Sequence, residues 1–320
     1  MVDQRRTSIK KGSVALGLFI VIGLCGAPFD ASQDDATCVV GSVENLGSGV
    51  NGLFFEGSPT ASANERVLLL TSNRAGGQED LFVATRHRRN GAWGEAINVG
   101  PPINTPGANE NGLRLSLDGK TLYFSSNRQG GFGRSDLYVA TRLSTSHPWS
   151  AAQNLGPLIN TQLFEGFPTP SADGNTLYFD RGTGPGSPDA DIWVTTRENP
   201  LEPWGIPEPL PPPINGPSAE VSPSISTDGL TLYFSSQRPG NVGFQDIWVT
   251  RRADPALPWG SPENLGPEVN APGSVTYAPF ISANGRSLYF SSTRPGGFGQ
   301  PACGFFNCLD VYVATIKCGE

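Results

Sequence analysis

From about residue 42 onward the chain is written in short alternating runs, each bounded by Gly, Asn or Pro. Thr121–Ser126 (TLYFSS) and Asp136–Arg142 (DLYVATR) show the pattern, with aromatic and β-branched residues in a two-residue rhythm. Such runs predict short strands joined by hairpins. Asp118-Gly119, Asp173-Gly174, Asp228-Gly229 and Asn284-Gly285 fall between paired runs and suit tight turns that need positive φ. No 3.6-residue apolar period follows the N-terminal segment, which argues against the α/β classes.

The runs belong to a larger repeat of roughly 55 residues. Its copies open at Glu56, Glu110, Glu165, Glu220 and Thr276, and Asn64, Asp118, Asp173, Asp228 and Asn284 hold a common register inside them. Each copy supplies four strands: one around the opening residue, one at Leu-Tyr-Phe, one at Asp-Leu-Tyr-Val, and one running from a Trp into Asn-Leu-Gly, as from Trp149 to Gly156. Four-stranded antiparallel units repeated radially predict an all-β fold, a five-bladed β-propeller. A β-solenoid is the alternative, but its repeats are shorter. The fifth copy stops after Asp310–Thr315, and its missing strand is found at the other end, where Ser42–Gly47 (SVENLG) matches Pro262–Gly266 (PENLG). The N-terminal strand is therefore expected to complete the last blade and leave no long open edge.

The cysteines bear on the same closure. Aligned on the repeat, Cys38 takes the position of His147 and Cys318 that of Ser144, three apart in one hairpin loop and within disulfide reach. A Cys38–Cys318 bridge is expected, with Cys303 and Cys308 as a second pair, in an oxidising compartment. Arg5, Arg6, Lys10 and Lys11 precede an apolar stretch from Val14 to Leu24, so residues 1–27 read as a signal peptide, or alternatively a signal anchor. Residues 28–37 then form a linker and residues 38–320 the propeller. An exported protein, periplasmic or extracellular, is expected, meeting a membrane only through an uncleaved leader.

Charge narrows the partners. The formal net charge is −7, and an acidic domain with few lysines lacks the basic footprint of a nucleic-acid binder. A monomer is expected. The two histidines, His87 and His147, fall in loops of different blades, which argues against a catalytic triad or a His-rich metal cage. Arg74 with Asp80, Arg128 with Asp136, Arg238 with Asp246 and Arg294 with Asp310 recur in four blades and read as structural ion pairs. Blade three departs, with Thr183 at the Arg position and Asp180 and Arg181 at the Ser-Ser positions. The stretches Gly130–Gly133 and Gly296–Gly299 lead into strands rather than helices, so they read as hairpin loops and not phosphate cradles.

Two candidate binding features remain. Glu56, Glu110, Glu165 and Glu220 open the innermost strands, and as a ring at one channel mouth they would attract a cation or ordered water. The plainer reading has each accept backbone hydrogen bonds from the neighbouring blade. No cofactor is expected beyond such a cation. The fourth-to-first and second-to-third loops emerge on that same face, the expected binding face. Blade five carries an insertion there, Cys303–Cys308, presenting Phe305 and Phe306 as a contact tip.

The run Pro223–Arg238 (PSISTDGLTLYFSSQR), followed by Asp246–Val249 (DIWV), resembles the WD40-like propeller repeat of the TolB type, over nearly everything after residue 42. That resemblance implies bacterial envelope or secreted proteins that serve mainly as protein-binding platforms. The five copies, rather than six, and the Trp…Asn-Leu-Gly-Pro strand depart from TolB itself. The expected function is an exported, non-enzymatic module that binds an envelope protein or glycan. Two rivals stand beside it: a glycoside-acting enzyme using channel-mouth carboxylates, with Glu165 and Asp180 as the pair, and a cation-binding structural propeller.

Overall fold

A computed structural model describes residues 38–298 and 309–318. Among them the chain opens on β1 (Cys38–Asn45) and builds blade one from β2 (Glu56–Ala61), β3 (Val67–Ser72), β4 (Asp80–Thr85) and β5 (Ile97–Asn98). Blade two is β6 (Glu110–Leu115), β7 (Thr121–Ser126), β8 (Asp136–Thr141) and β9 (Gln153–Asn154). Blade three is β10 (Phe164–Pro170), β11 (Thr176–Gly182), β12 (Asp191–Thr196) and β13 (Glu208–Pro209). Blade four is β14 (Glu220–Ile225), β15 (Thr231–Ser236), β16 (Asp246–Arg251) and β17 (Glu263–Asn264). Blade five is β18 (Thr276–Ile281), β19 (Ser287–Ser292) and β20 (Asp310–Cys318), completed by β1. The first strands follow one another around the axis, β2 beside β6, β10, β14 and β18, and β18 again beside β2.

Each blade is covered on both faces by its neighbours, so its second strand is buried almost throughout despite alternating residue size. In β7 every residue after Thr121 is buried. Phe124, Phe179, Phe234 and Phe290 are fully enclosed, and each contributes roughly 1.5–3 kcal/mol by leaving water. The clusters cross blade boundaries: Leu68, Leu70 and Phe82 of blade one pack with Tyr289 and Val311 of blade five. Gly119 closes the turn after β6 at φ 68°, as the Asp-Gly pair requires.

Closure differs in detail from expectation. β1 is a full antiparallel partner of β20, from Asn45 opposite Tyr312 out to Cys38 opposite Cys318, whereas the fourth strands of the other blades are two residues long. Cys38 and Cys318 therefore face each other across a ladder instead of sitting three apart in a loop. β20 and β1 are not joined by a third-to-fourth loop that would pull them apart, so their ladder runs further outward. Inside the seam, Asn51 donates from Nδ2 to the Val311 carbonyl at 2.9 Å and accepts from the Val311 N–H at 2.7 Å. Asn104, Asn160, Asn215 and Asn270 grip their blades in the same way.

Every first strand carries a β-bulge at the same place, between Asn111 and Arg114 in β6 and between Gly166 and Thr169 in β10. A bulge bends its strand and re-aims the next side chain. In blade two that side chain is Arg114.

Candidate functional site

Each opening glutamate sits in a nest built by its own blade and the loop arriving at it. Glu110 Oε1 accepts from Ser126 Oγ at 2.8 Å and Arg128 Nη2 at 3.1 Å, and Oε2 accepts from the Thr105 N–H at 3.1 Å. Glu56 repeats this with Ser72, Arg74 and Gly52, and Glu220 with Ser236, Arg238 and Gly216. All four glutamates have no exposed surface. They do not present an open carboxylate ring. Burial raises the pKa of Glu56, Glu110 and Glu165, and the adjacent arginines and hydroxyl and amide donors offset only part of that.

Three of the four repeated arginines, Arg74, Arg128 and Arg238, therefore pair with glutamate and not with aspartate, contrary to the sequence reading. Arg128 also donates to the Ile103 carbonyl at 2.7 Å, and Arg74, Arg238 and Arg294 do the same to Val50, Ile214 and Val269. The repeated aspartates serve the second-to-third loop: Asp136 accepts from the N–H groups of Phe132 and Gly133 and from Asn154 Nδ2. This confirms Gly130–Gly133 as a hairpin loop. It also explains the repeated Asn of Asn-Leu-Gly, whose side-chain amide caps that aspartate from the fourth strand.

Blade three keeps the nest by another route. Arg181, at a serine position, donates from Nε to Glu165 at 2.9 Å and from Nη2 to the Ile159 carbonyl at 2.7 Å, so Thr183 has no such duty. Thr161 supplies the hydroxyl. Asp180 then stands where other blades place Ser125, Ser235 and Ser291. It is buried, and neither carboxylate oxygen has a hydrogen-bond partner. Burial pushes its pKa up to about 7; the Ser222 N–H dipole nearby, outside hydrogen-bond geometry, offsets part of this, and Glu165 adds to the rise. In blade five Thr276 meets Ser292 at 3.2 Å, and the Nε of Arg294 is left without a partner.

The channel itself is crossed by side chains. Phe167 of blade three meets Tyr277 of blade five edge to face at 6.1 Å, a contact between non-adjacent blades that must span the axis. Below it lies Arg114, 5 % exposed. Its Nε donates to Thr169 Oγ1 of blade three at 3.0 Å, and its Nη2 donates to the carbonyls of Pro223 in blade four at 3.1 Å and Pro279 in blade five at 3.3 Å. Its guanidinium lies 5.1 Å from the Phe280 ring centre. One side chain thus links four blades. A fixed positive charge on the axis opposes a bound cation there, and among the described residues no cluster of three or more His, Cys, Asp or Glu fits a metal.

A cavity of about 360 Å³ opens beside Arg114 on the face of the first-to-second strand turns, lined by Leu115, Asp118, Thr169, Asp173, Ser226 and Phe280 among others. This is the face opposite the one expected from the loops. The signal missed in the sequence was Arg114 itself: the corresponding positions after the bulge are Thr60, Thr169, Ser224 and Phe280. Phe305, Phe306, Cys303 and Cys308 lie outside the described residues, as do residues 1–37. His87 and His147 are exposed in their loops. Among the described residues no helix is long and apolar enough to cross a membrane.

No protein-family model and no curated protein matches the chain. Solved structures share its fold. The catalytic domain of the GH62 α-L-arabinofuranosidase of Coprinopsis cinerea is 9 % identical at TM-score 0.57, over 88 % of this chain and 96 % of that one. Zg3597, a family 117 glycoside hydrolase of Zobellia galactanivorans, is 13 % identical at TM-score 0.54, over 87 % and 90 %. TolB from Acinetobacter baumannii is 13 % identical at TM-score 0.50, over 88 % of this chain but 64 % of that one, so the chain spans less than two thirds of its length. What is shared is architecture: the chain is a five-bladed β-propeller, consistent with the TolB-type propeller that its repeat resembles.

Proposed function

We propose that this chain is an exported binding module that holds an envelope protein or glycan without chemically altering it. The observation that carries the reading is the state of the repeated carboxylates, each buried and three of them in a Ser–Arg nest of one design. Glycoside hydrolysis needs two carboxyl groups about 5–9.5 Å apart across a space that admits both sugar and water. Glu165 and Asp180, the pair weighed for that chemistry, are both enclosed, and Glu165 is held by Arg181 and Thr161. Export is supported by the basic-then-apolar N-terminal segment, and binding by a concave mouth on a rigid ring.

The test pairs two assays on the purified full chain. One follows release of nitrophenol from aryl arabinofuranosides and galactosides; the other follows co-sedimentation with peptidoglycan and recovery of solubilised envelope proteins. Retention on one envelope fraction with no sugar released is the expected result. Turnover that disappears in Glu165→Gln would replace this reading with the hydrolase.

A further inference from the structure

The arginines of the glutamate nests are neutralised within their own blades; Arg114 is not. Among the described residues no carboxylate lies within ion-pairing distance of its guanidinium, and its partners are a threonine hydroxyl, two proline carbonyls and the face of Phe280. These use Nε and Nη2. Nη1 has no protein acceptor among the described residues, yet it is absent from the atoms sealed away from solvent without a partner. Arg114 lines the cavity at the turn-face mouth, and Nη1 is the donor left to meet what enters it.

A buried guanidinium without a counter-charge is an unusual thing for a stable fold to retain. Burial lowers its pKa to about 9, which still leaves it charged at neutral pH. Low dielectric strengthens the attraction for any anion that reaches it, and with Nε and Nη2 engaged, the Nη1 N–H groups are left to make charge-assisted hydrogen bonds to an anionic oxygen.

We propose that this cavity is a receptor for a sugar acid, with Arg114 taking the carboxylate and the rim taking the ring hydroxyls. Its size is at the small end of ligand sites and suits one ring. The wall adds a second guanidinium, Arg197, stacked on Trp204 at 4.0 Å and 3.5 Å from the Tyr123 hydroxyl. The rim charges facing the cavity from the other elements are Asp118 and Asp173. Each is engaged by its own turn through one oxygen, Asp118 with Ser116 and the Lys120 N–H, and Asp173 with Ser171 and the Asn175 N–H. Their second oxygens are acceptors matched to hydroxyl donors. One deep cation below two rim acceptors is the complement of one carboxylate on a polyhydroxylated body. This deepens the glycan half of the proposed function and rests on it.

The experiment titrates the full chain, at low ionic strength, with D-galacturonate, with neutral D-galactose and with N-acetyl-alanine, by calorimetry or ligand-observed NMR. Galacturonate is expected to bind one site at least about tenfold more tightly than either other probe, and Arg114→Gln to lose at least about tenfold. Because Arg114 also ties blades together, a second pair of variants keeps the test open if that one unfolds. Ala172, exposed on a turn that lines the mouth, is changed to Glu or Lys. Ala172→Glu is expected to weaken galacturonate and Ala172→Lys to strengthen it, each about two- to fivefold and less so at high salt. Equal binding of galactose would overturn the anion site while leaving a glycan module standing. Equal binding of N-acetyl-alanine would overturn the sugar-acid assignment and the glycan reading with it. No binding by either acid, or indifference to charge at position 172, would overturn the proposal.

Discussion

Val40 stands opposite Ile316 on the closing seam, at the place where each of the other four blades lays an arginine on a tryptophan. Arg86 lies 4.1 Å over Trp93, Arg142 4.1 Å over Trp149, Arg197 4.0 Å over Trp204 and Arg252 4.2 Å over Trp259. In each, the arginine Nε also donates to a carbonyl of the first turn, at Glu65, Gly119, Gly174 and Gly229. That stack holds a long third-to-fourth loop against its blade. Blade five has no such loop, because its fourth strand arrives from the other end of the chain, and an apolar pair in a longer ladder takes over.

The seam should also be covalent. Cys38 opposite Cys318 supports a bridge between the ends of the ring. Peptide mapping of the alkylated, non-reduced protein is expected to recover the two cysteines in one linked fragment, and reduction to cost about 2–5 kcal/mol in urea unfolding. Alkylation of Cys38 without reductant would refute the pairing.

The stacked pairs should be measurable singly. Trp204→Ala is expected to cost about 3–5 kcal/mol, most of it lost burial. A double-mutant cycle with Arg197→Met should return a coupling of about 0.5–2 kcal/mol. A coupling near zero would assign the stack to packing alone.

Breaking a glutamate nest should be expensive. Glu110→Ala leaves Arg128 half-buried without its partner and is expected to destabilise by about 3–5 kcal/mol, with part recovered when Arg128→Met is added. Blade five offers the converse. Thr276→Glu would supply Arg294, whose Nε is unpartnered, with the carboxylate that the nests of blades one, two and four provide, and should raise stability by about 1 kcal/mol. Urea midpoints at pH 7 check both.

Asp180 should make stability fall as pH rises. Its folded pKa of about 7 lies above the ordinary value of 3.8, so the folded state holds the proton longer. The contribution is complete below pH 4, is lost progressively between about pH 4 and 7, and is flat above, amounting to roughly 4 kcal/mol at most. Asp180→Ser, which restores the residue of blades two, four and five, should remove this difference and leave the variant more stable than the parent at pH 8. Parallel stability curves for the two proteins from pH 4 to 8 would show that Asp180 does not titrate in this range.

The ring is written in the linear pattern of residues. Repeat register, turn glycines and the displaced Asn-Leu-Gly strand are local signals, and backbone pairing obeys local signals wherever both faces of a sheet are covered. Blade count, strand order and the joining of β1 to β20 all follow from residues readable in one dimension. Which charges meet did not follow, because that depends on side-chain direction across layers. Arg128 lies eight positions from Asp136 and eighteen from Glu110, yet it pairs with Glu110, which the hairpin brings beside it. Packing between blades is what makes Arg181 replace a missing partner from a neighbouring position, leaves Asp180 without one, and sends Arg114 across the axis to three other blades. A lone arginine in a strand looks like surface charge until five first strands converge and leave it nowhere to go but the centre.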